Sequence, residues 1–157
     1  VVPGTECSAW VLFDTEKQTL VRCGQCENAE VLASLTEVRA SRLIVEMFKS
    51  YGNVMGDTVL QTCVWIGRFV QAWTRTLSGQ HELMFRKTIV TQICMNPRAN
   101  DSNVRGALMD RWGGKTLAVG TKKAPGPLYD VKNDIWSALA IAVAWTELQE
   151  VFLDKLK

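Results

Sequence analysis

Residues 42–47 read Arg42, Leu43, Ile44, Val45, Glu46 and Met47, an unbroken apolar run that closes on a carboxylate. Apolar residues on consecutive positions, rather than alternating ones, mark a strand covered on both faces, as in a parallel layer. Such a strand needs structure above and below it, which points to a sheet with helices on its faces. The run also sets Glu46 where the buried strand gives out. A carboxylate in that position is costly unless something compensates it. A hard divalent cation is the usual compensation, because Mg²⁺ prefers carboxylate oxygen and water.

The flanking sequence supplies the remaining layers. Residues 8–13 and 19–26 read as two strands joined by a polar turn at 14–18, a hairpin. Residues 28–38 carry Val31, Leu32 and Leu35 at helical spacing, with Asn28 as N-cap. Residues 50–56 form a loop with two glycines. A long helix follows over Asp57–Thr74, with one apolar stripe of Val59, Cys63, Ile66, Val70 and Trp73 and a second of Trp65 and Phe69. A helix apolar over so wide an arc buries two sides, one against the sheet and the other against a partner or another helix. Residues 82–86 read as a strand and 87–95 as a short helix, broken at Asn96-Pro97-Arg98. Asp101 or Ser102 caps a helix running to Trp112, and Gly113-Gly114 ends it. Residues 116–133 are a Gly/Pro loop, and an alanine-rich helix over 134–153 closes the chain. The expected architecture is an α/β mixed sheet flanked by helices, in one domain over residues 1–157.

Asp134 opens the last helix, and Ser137 lies one turn on, on the same face. Asp130 lies a turn earlier. The small residues Ala138, Ala140, Ala142 and Ala144 let this helix lie close to a sheet, so Asp134 can reach the end of the Glu46 strand. An acid at a helix start also suits the dipole as a plain cap. Both readings stand on the residues alone.

Charge has to be read locally, since 18 basic and 16 acidic residues leave a net charge of only +2. Lys115, Lys122, Lys123 and Lys132 surround the loop that leads to Asp134, with few acids among them, and Arg98, Arg105 and Arg111 lie nearby in sequence. Basic groups next to a metal site suit phosphate, a contact independent of base sequence; an ordinary solvated loop is the alternative. The tryptophans follow helical or strand periodicity and read as core or interface rather than base-stacking platforms. The five cysteines are odd in number and show no disulfide framework. Cys23 and Cys26 lie on a strand, where positions three apart face opposite sides. There is no Ser-His-Asp arrangement, P-loop or dinucleotide fingerprint. No apolar run reaches the ~18 residues of a membrane helix and no signal peptide opens the chain, so a cytoplasmic location without membrane contact is expected.

Several of these segments resemble one family in the right order. Val2-Pro3-Gly4-Thr5, with Ser8-Ala9-Trp10-Val11-Leu12 behind it, is similar to the Asp-Pro-Gly-Thr opening of RuvC-like, phage-type Holliday junction resolvases. Leu43-Ile44-Val45-Glu46-Met47, with Ser50-Tyr51-Gly52, resembles that family's strand bearing its second carboxylate. Residues 62–69 resemble its long helix, and residues 94–105 its helical insertion. Residues 120–129 and 134–140 resemble its C-terminal signature. The likeness covers nearly the whole chain.

The resemblance implies an RNase H-like fold and a crossover junction endodeoxyribonuclease, cutting branched DNA by phosphodiester hydrolysis at two Mg²⁺ ions, with Mn²⁺ as a substitute. It implies Glu46 and Asp134 as catalytic metal ligands, with Asp130 as a further metal ligand. Lys115, Lys122, Lys123, Lys132, Arg98 and Arg105 would contact DNA. A homodimer through the helix Asp57–Thr74, in a bacterial or phage-infected cell, is implied as well. Two positions depart from the family pattern. Val2 stands where the family has its first catalytic Asp, with only Val1 and Val2 left of the strand that carries it, so the first strand reads as truncated. Ser137 stands where a further carboxylate is expected. The alternative is therefore a catalytically impaired protein of the same fold that binds branched DNA without cutting it.

Overall fold

The protein is described by a computed structural model covering residues 1–50, 52, 54–76 and 79–155. Tyr51 and Asn53, in the expected loop at 50–56, lie outside the described residues, so the part of the family likeness that uses Tyr51 does too.

Strands β1 (Cys7–Asp14) and β2 (Thr19–Glu27) form the expected antiparallel hairpin, with Ala9 opposite Gln25 and Val11 opposite Cys23. The Asp14 carboxylate accepts the amides of Glu16 and Lys17 at 3.1 and 2.9 Å, which closes the turn. Helix α1 (Asn28–Leu35) follows. It stops short of the expected end at Val38, because the Thr36 and Glu37 amides bond three residues back, to the Ala33 and Ser34 carbonyls at 3.2 and 3.1 Å, and tighten the last turn. Strand β3 (Leu43–Met47), helix α2 (Asp57–Thr74) and strand β4 (His81–Phe85) make a crossover unit, with β3 and β4 parallel and Glu46 opposite Met84.

Two residues join these strand pairs into the expected mixed sheet. The Val2 amide donates to the Ala9 carbonyl at 2.8 Å, and the Ala9 amide returns a bond to Val2 at 3.0 Å. On the other side, the Val1 nitrogen donates to the Ile44 carbonyl at 2.6 Å, and the Glu46 amide donates to the Val1 carbonyl at 2.9 Å. Val1 is thus opposite Val45 in parallel register, and Val2 is antiparallel to β1. The order across the sheet is β2, β1, residues 1–2, β3, β4.

Strand period two divides the core between the faces. Leu43 and Val45 face α1 and α2 and pack with Val31, Leu35, Ile66, Phe69 and Trp73. Ile44, Ala9 and Met84 face the other way, into a cluster built by α3 (Arg86–Cys94), α4 (Asp101–Arg111), α5 (Lys115–Ala118) and α6 (Ile135–Asp154). The strand covered on both faces is therefore present as expected. The CxxC pair obeys the same rule: Cys23 packs on the α6 face and Cys26 on the α1–α2 face.

Helix α6 lies against β1 and β3, and Ala138, Ala140 and Ala144 are buried where it crosses. In α2 the buried line is Thr62, Ile66, Phe69 and Trp73. Phe69 belongs to this line and also meets the Trp65 ring, as expected, with centroids 5.9 Å apart; Val59, Cys63 and Val70 flank the line half-buried. The Trp73 indole donates to the Gln80 carbonyl at 2.7 Å, tying α2 to the start of β4. The helix over 101–111 is capped by Asn100, not by Asp101 or Ser102; Asn100 and Asn103 exchange side-chain-to-amide bonds in a capping box.

The expected loop at 116–133 overlaps the short helix α5 and a tight turn. Gly120 bridges Pro125 around the turn at 121–124. The Gly126 amide donates to Val119 at 2.9 Å and the Leu128 amide to Ala118 at 2.7 Å. A Cβ on Gly126 would stand 2.3 Å from the Leu117 carbonyl oxygen, so glycine is required for this close approach.

Candidate site at the carboxylate end of the sheet

Glu46 sits on the α6 face of β3, with 13% of its side chain exposed. Its cross-strand row contains Met84 on β4 and, on the other side, Val2, Ala9 and Gln25, all on one face. Arg86, the first residue of α3, reaches back over the strand end. One guanidinium nitrogen stands 3.5 Å from Glu46 Oε1, and the other binds Asp101 of α4. Burial pushes the Glu46 carboxyl above the usual carboxylate range, and the charge and hydrogen bond of Arg86 only partly oppose this.

That shift has a testable sign. A carboxyl whose folded pKa is raised costs stability once it ionises, and the cost appears as pH climbs through the raised value. Glu46→Gln removes this titration. Its melting temperature relative to the unaltered chain is expected to rise over the window above pH 4.5, the ordinary value of this carboxyl, as the pH climbs through the raised one. A difference flat across that window in thermal scans would refute the burial of charge at this position.

Asp134 immediately precedes α6, but its side chain makes no cap bond, because its backbone is already helical (φ −68°, ψ −10°). Instead its carboxylate accepts from the Gln25 side-chain amide at 3.2 Å. Gln25 and Glu46 lie on the same face but three strand spacings apart, about 14 Å between backbones. Asp130 is exposed and close enough to Cys23 that its charge, after burial, helps raise that thiol's pKa. Ser137 is half-buried in the first turn of α6. Among the described residues, no three His, Cys, Asp or Glu side chains come together as a metal-holding group, so Glu46, Asp134 and Asp130 are not brought into one cluster.

The basic residues lie at the surface. Lys115 opens α5, Lys122 and Lys123 occupy the turn at 121–124, and Lys132 precedes Asp134 by two residues; all four are exposed. Arg98 is exposed in the turn after α3, where its amide binds the Asn96 side chain at 3.0 Å. Arg105 lays its guanidinium over the Trp136 ring at 4.9 Å, beside the first turn of α6. Arg111 is different: it binds Glu147 of α6 at 2.7 and 3.2 Å and is committed to holding α4 on α6.

The sequence pattern does not mark Arg86 or Asp101 as site residues. The signal that points to Arg86 is register. In a parallel pair, the residue just past the end of one strand lies at the same end as the acid closing the other.

No protein-family model matches the sequence, and no curated protein sequence does. Solved structures do match in shape. The structure of Thermus thermophilus RuvC superposes with a TM-score of 0.60 over 91% of this chain and 89% of that one, at 17% identity. T. thermophilus RuvC in complex with a Holliday junction substrate superposes with a TM-score of 0.58 over 91% and 87%, at 18% identity. The chain has a RuvC-like fold. That fold is the RNase H-like mixed sheet with flanking helices expected from the sequence.

A RuvC-like fold raises the question of the two Mg²⁺ ions implied by the sequence resemblance. The residues here do not fit them. The side chain next to Glu46 in the sheet is Val2, which has no oxygen to offer, Glu46 is paired with Arg86, and Asp134 is engaged by Gln25.

Proposed function

We propose that this chain binds branched DNA, with the four-way junction as its partner, and does not hydrolyse the phosphodiester. The observation that carries this reading is the split between the two halves of the candidate site. Glu46 faces Val2 and pairs with Arg86, which also holds Asp101, while Lys115, Lys122, Lys123, Lys132 and Arg98 are all exposed and Arg105 stacks on Trp136 in the first turn of α6. Cationic groups of this kind neutralise phosphate and release counterions whatever the base sequence. The shape match to a RuvC caught with a Holliday junction substrate supports the branched partner.

The outer face of α2 supports a homodimer. Leu60 and Val64 are 52% and 63% exposed, and Gly67, one turn on, has open space above it. A second copy laid along this stripe would cover apolar surface that the monomer leaves in water. In the described residues no helix is long and apolar enough to cross a membrane. A bacterial or phage-infected cytoplasm is where a branched-DNA binder would meet its partner.

One observation favours a rival reading, an active crossover junction endodeoxyribonuclease dependent on Mg²⁺ or Mn²⁺. Glu46 is retained on the α6 face although its burial is costly, and Asp134 lies against the same face.

An end-labelled four-way junction incubated with the protein and Mg²⁺ decides between them. The expected result is a retarded complex on a native gel and intact strands on a denaturing one. Paired symmetric nicks, lost in Glu46→Gln, would establish the endonuclease. No retardation at low salt would remove the branched-DNA reading altogether.

A further inference from the structure

We propose that Arg86 is the built-in cation of the carboxylate end, taking the place at Glu46 that a divalent metal would need, so that the protein alone is indifferent to Mg²⁺ and Mn²⁺. This rests on the non-catalytic reading above and gives it a cause.

The guanidinium forks between two carboxylates on different elements, Glu46 of β3 and Asp101 of α4. A guanidinium stays charged at any pH the fold tolerates and presents its donors in a planar fork. The Glu46 charge is thus partly compensated by a protein group, without an ion from solution. Arg86 is itself 47% exposed, against 13% for Glu46, so it covers the carboxylate from the solvent side. A dication approaching Glu46 meets a resident positive charge and must expel it from both acids. It gains no oxygen from Val2 in return.

The position of Arg86 follows from the fold. Strand β4 runs parallel to β3 with Met84 opposite Glu46, and Arg86 is the residue directly after β4. Its side chain therefore starts at the strand end where Glu46 emerges. Asp101 is set at the first turn of α4 by the Asn100 cap.

The test uses the DNA-free protein and MnCl₂, read by calorimetric titration and thermal unfolding. The unaltered chain is expected to show no saturable binding and no change in melting temperature. Arg86→Met leaves Glu46 and Asp101 together without the guanidinium between them. It is expected to gain a saturable site and to melt about 3–6 °C higher at roughly ten times its Kd. Adding Glu46→Gln should abolish that gain, and Arg86→Lys should preserve the indifference of the parent. Mn²⁺ uptake by the unaltered chain that Glu46→Gln removes overturns the proposal, as does a folded Arg86→Met that binds nothing. If Arg86→Met does not fold, Arg86→Gln carries the same two outcomes. Uptake of Mn²⁺ at Glu46 sinks this inference whether or not a junction is nicked. Failure to bind a junction sinks only the functional reading.

Discussion

A variant with Lys115, Lys122, Lys123 and Lys132 all changed to alanine is expected to bind a four-way junction on the order of a thousandfold less tightly at about 0.1 M salt. All four side chains are exposed, on α5, on the turn at 121–124 and two residues before Asp134. Each phosphate neutralised contributes roughly 0.9 to the slope of log affinity against log salt, so removing these four cations should flatten that slope by about 3 to 4. Linear duplex should lose affinity in parallel, because phosphate-bound cations position the protein without reading bases. Stability should hardly change, since exposed charges remote from a core feature are worth a few tenths of a kcal/mol at most. Titration at several salt concentrations makes the measurement. An unaltered slope would show that DNA lies elsewhere on the molecule.

Trp73→Ala is expected to lower folding stability by about 3–5 kcal/mol. The side chain is 1% exposed and packs with Phe69, Ile66 and Leu43 between α2 and the sheet. Truncation strips the indole out of this layer and leaves a void that close-packed neighbours cannot fill. It also deprives the Gln80 carbonyl of its 2.7 Å partner, just before the strand that leads to Arg86. Trp73→Phe keeps most of the volume and loses the hydrogen bond, so its cost should be much smaller than that of alanine. Urea denaturation of the pair resolves the two parts. A loss below about 1 kcal/mol for alanine would mean that α2 is not docked as described.

What the sequence exposes here is pattern at short range. The unbroken run before Glu46 requires two covering layers, and the layers are there. The periodicity of α2 is long enough to mark both of its ends, and the strand rule places Cys23 and Cys26 on opposite faces. What stays hidden depends on register between distant segments. Phe69 joins the buried line of α2 because the sheet meets a narrower arc of that helix than its apolar residues span. Helix α5 has four residues, fewer than periodicity needs to show itself, and it sits in a stretch whose glycines and prolines argue for a loop. Arg111 looks like a phosphate ligand until α6 delivers Glu147, 36 positions later in the chain, to its guanidinium. Asp134 resembles a cap by sequence, yet its helical backbone aims the carboxylate at Gln25. The pairing of Arg86 with Glu46 needs β3 and β4 side by side, which no local window contains.

The turn that carries Lys122 and Lys123 is closed at its base by the Gly120–Pro125 bridge and pinned to α5 through the amides of Gly126 and Leu128. A polyanion arriving there meets cations whose backbone is already set. Little conformational freedom is left to surrender on contact, so the loop is preorganised, and the attraction of its charges is not spent on ordering it.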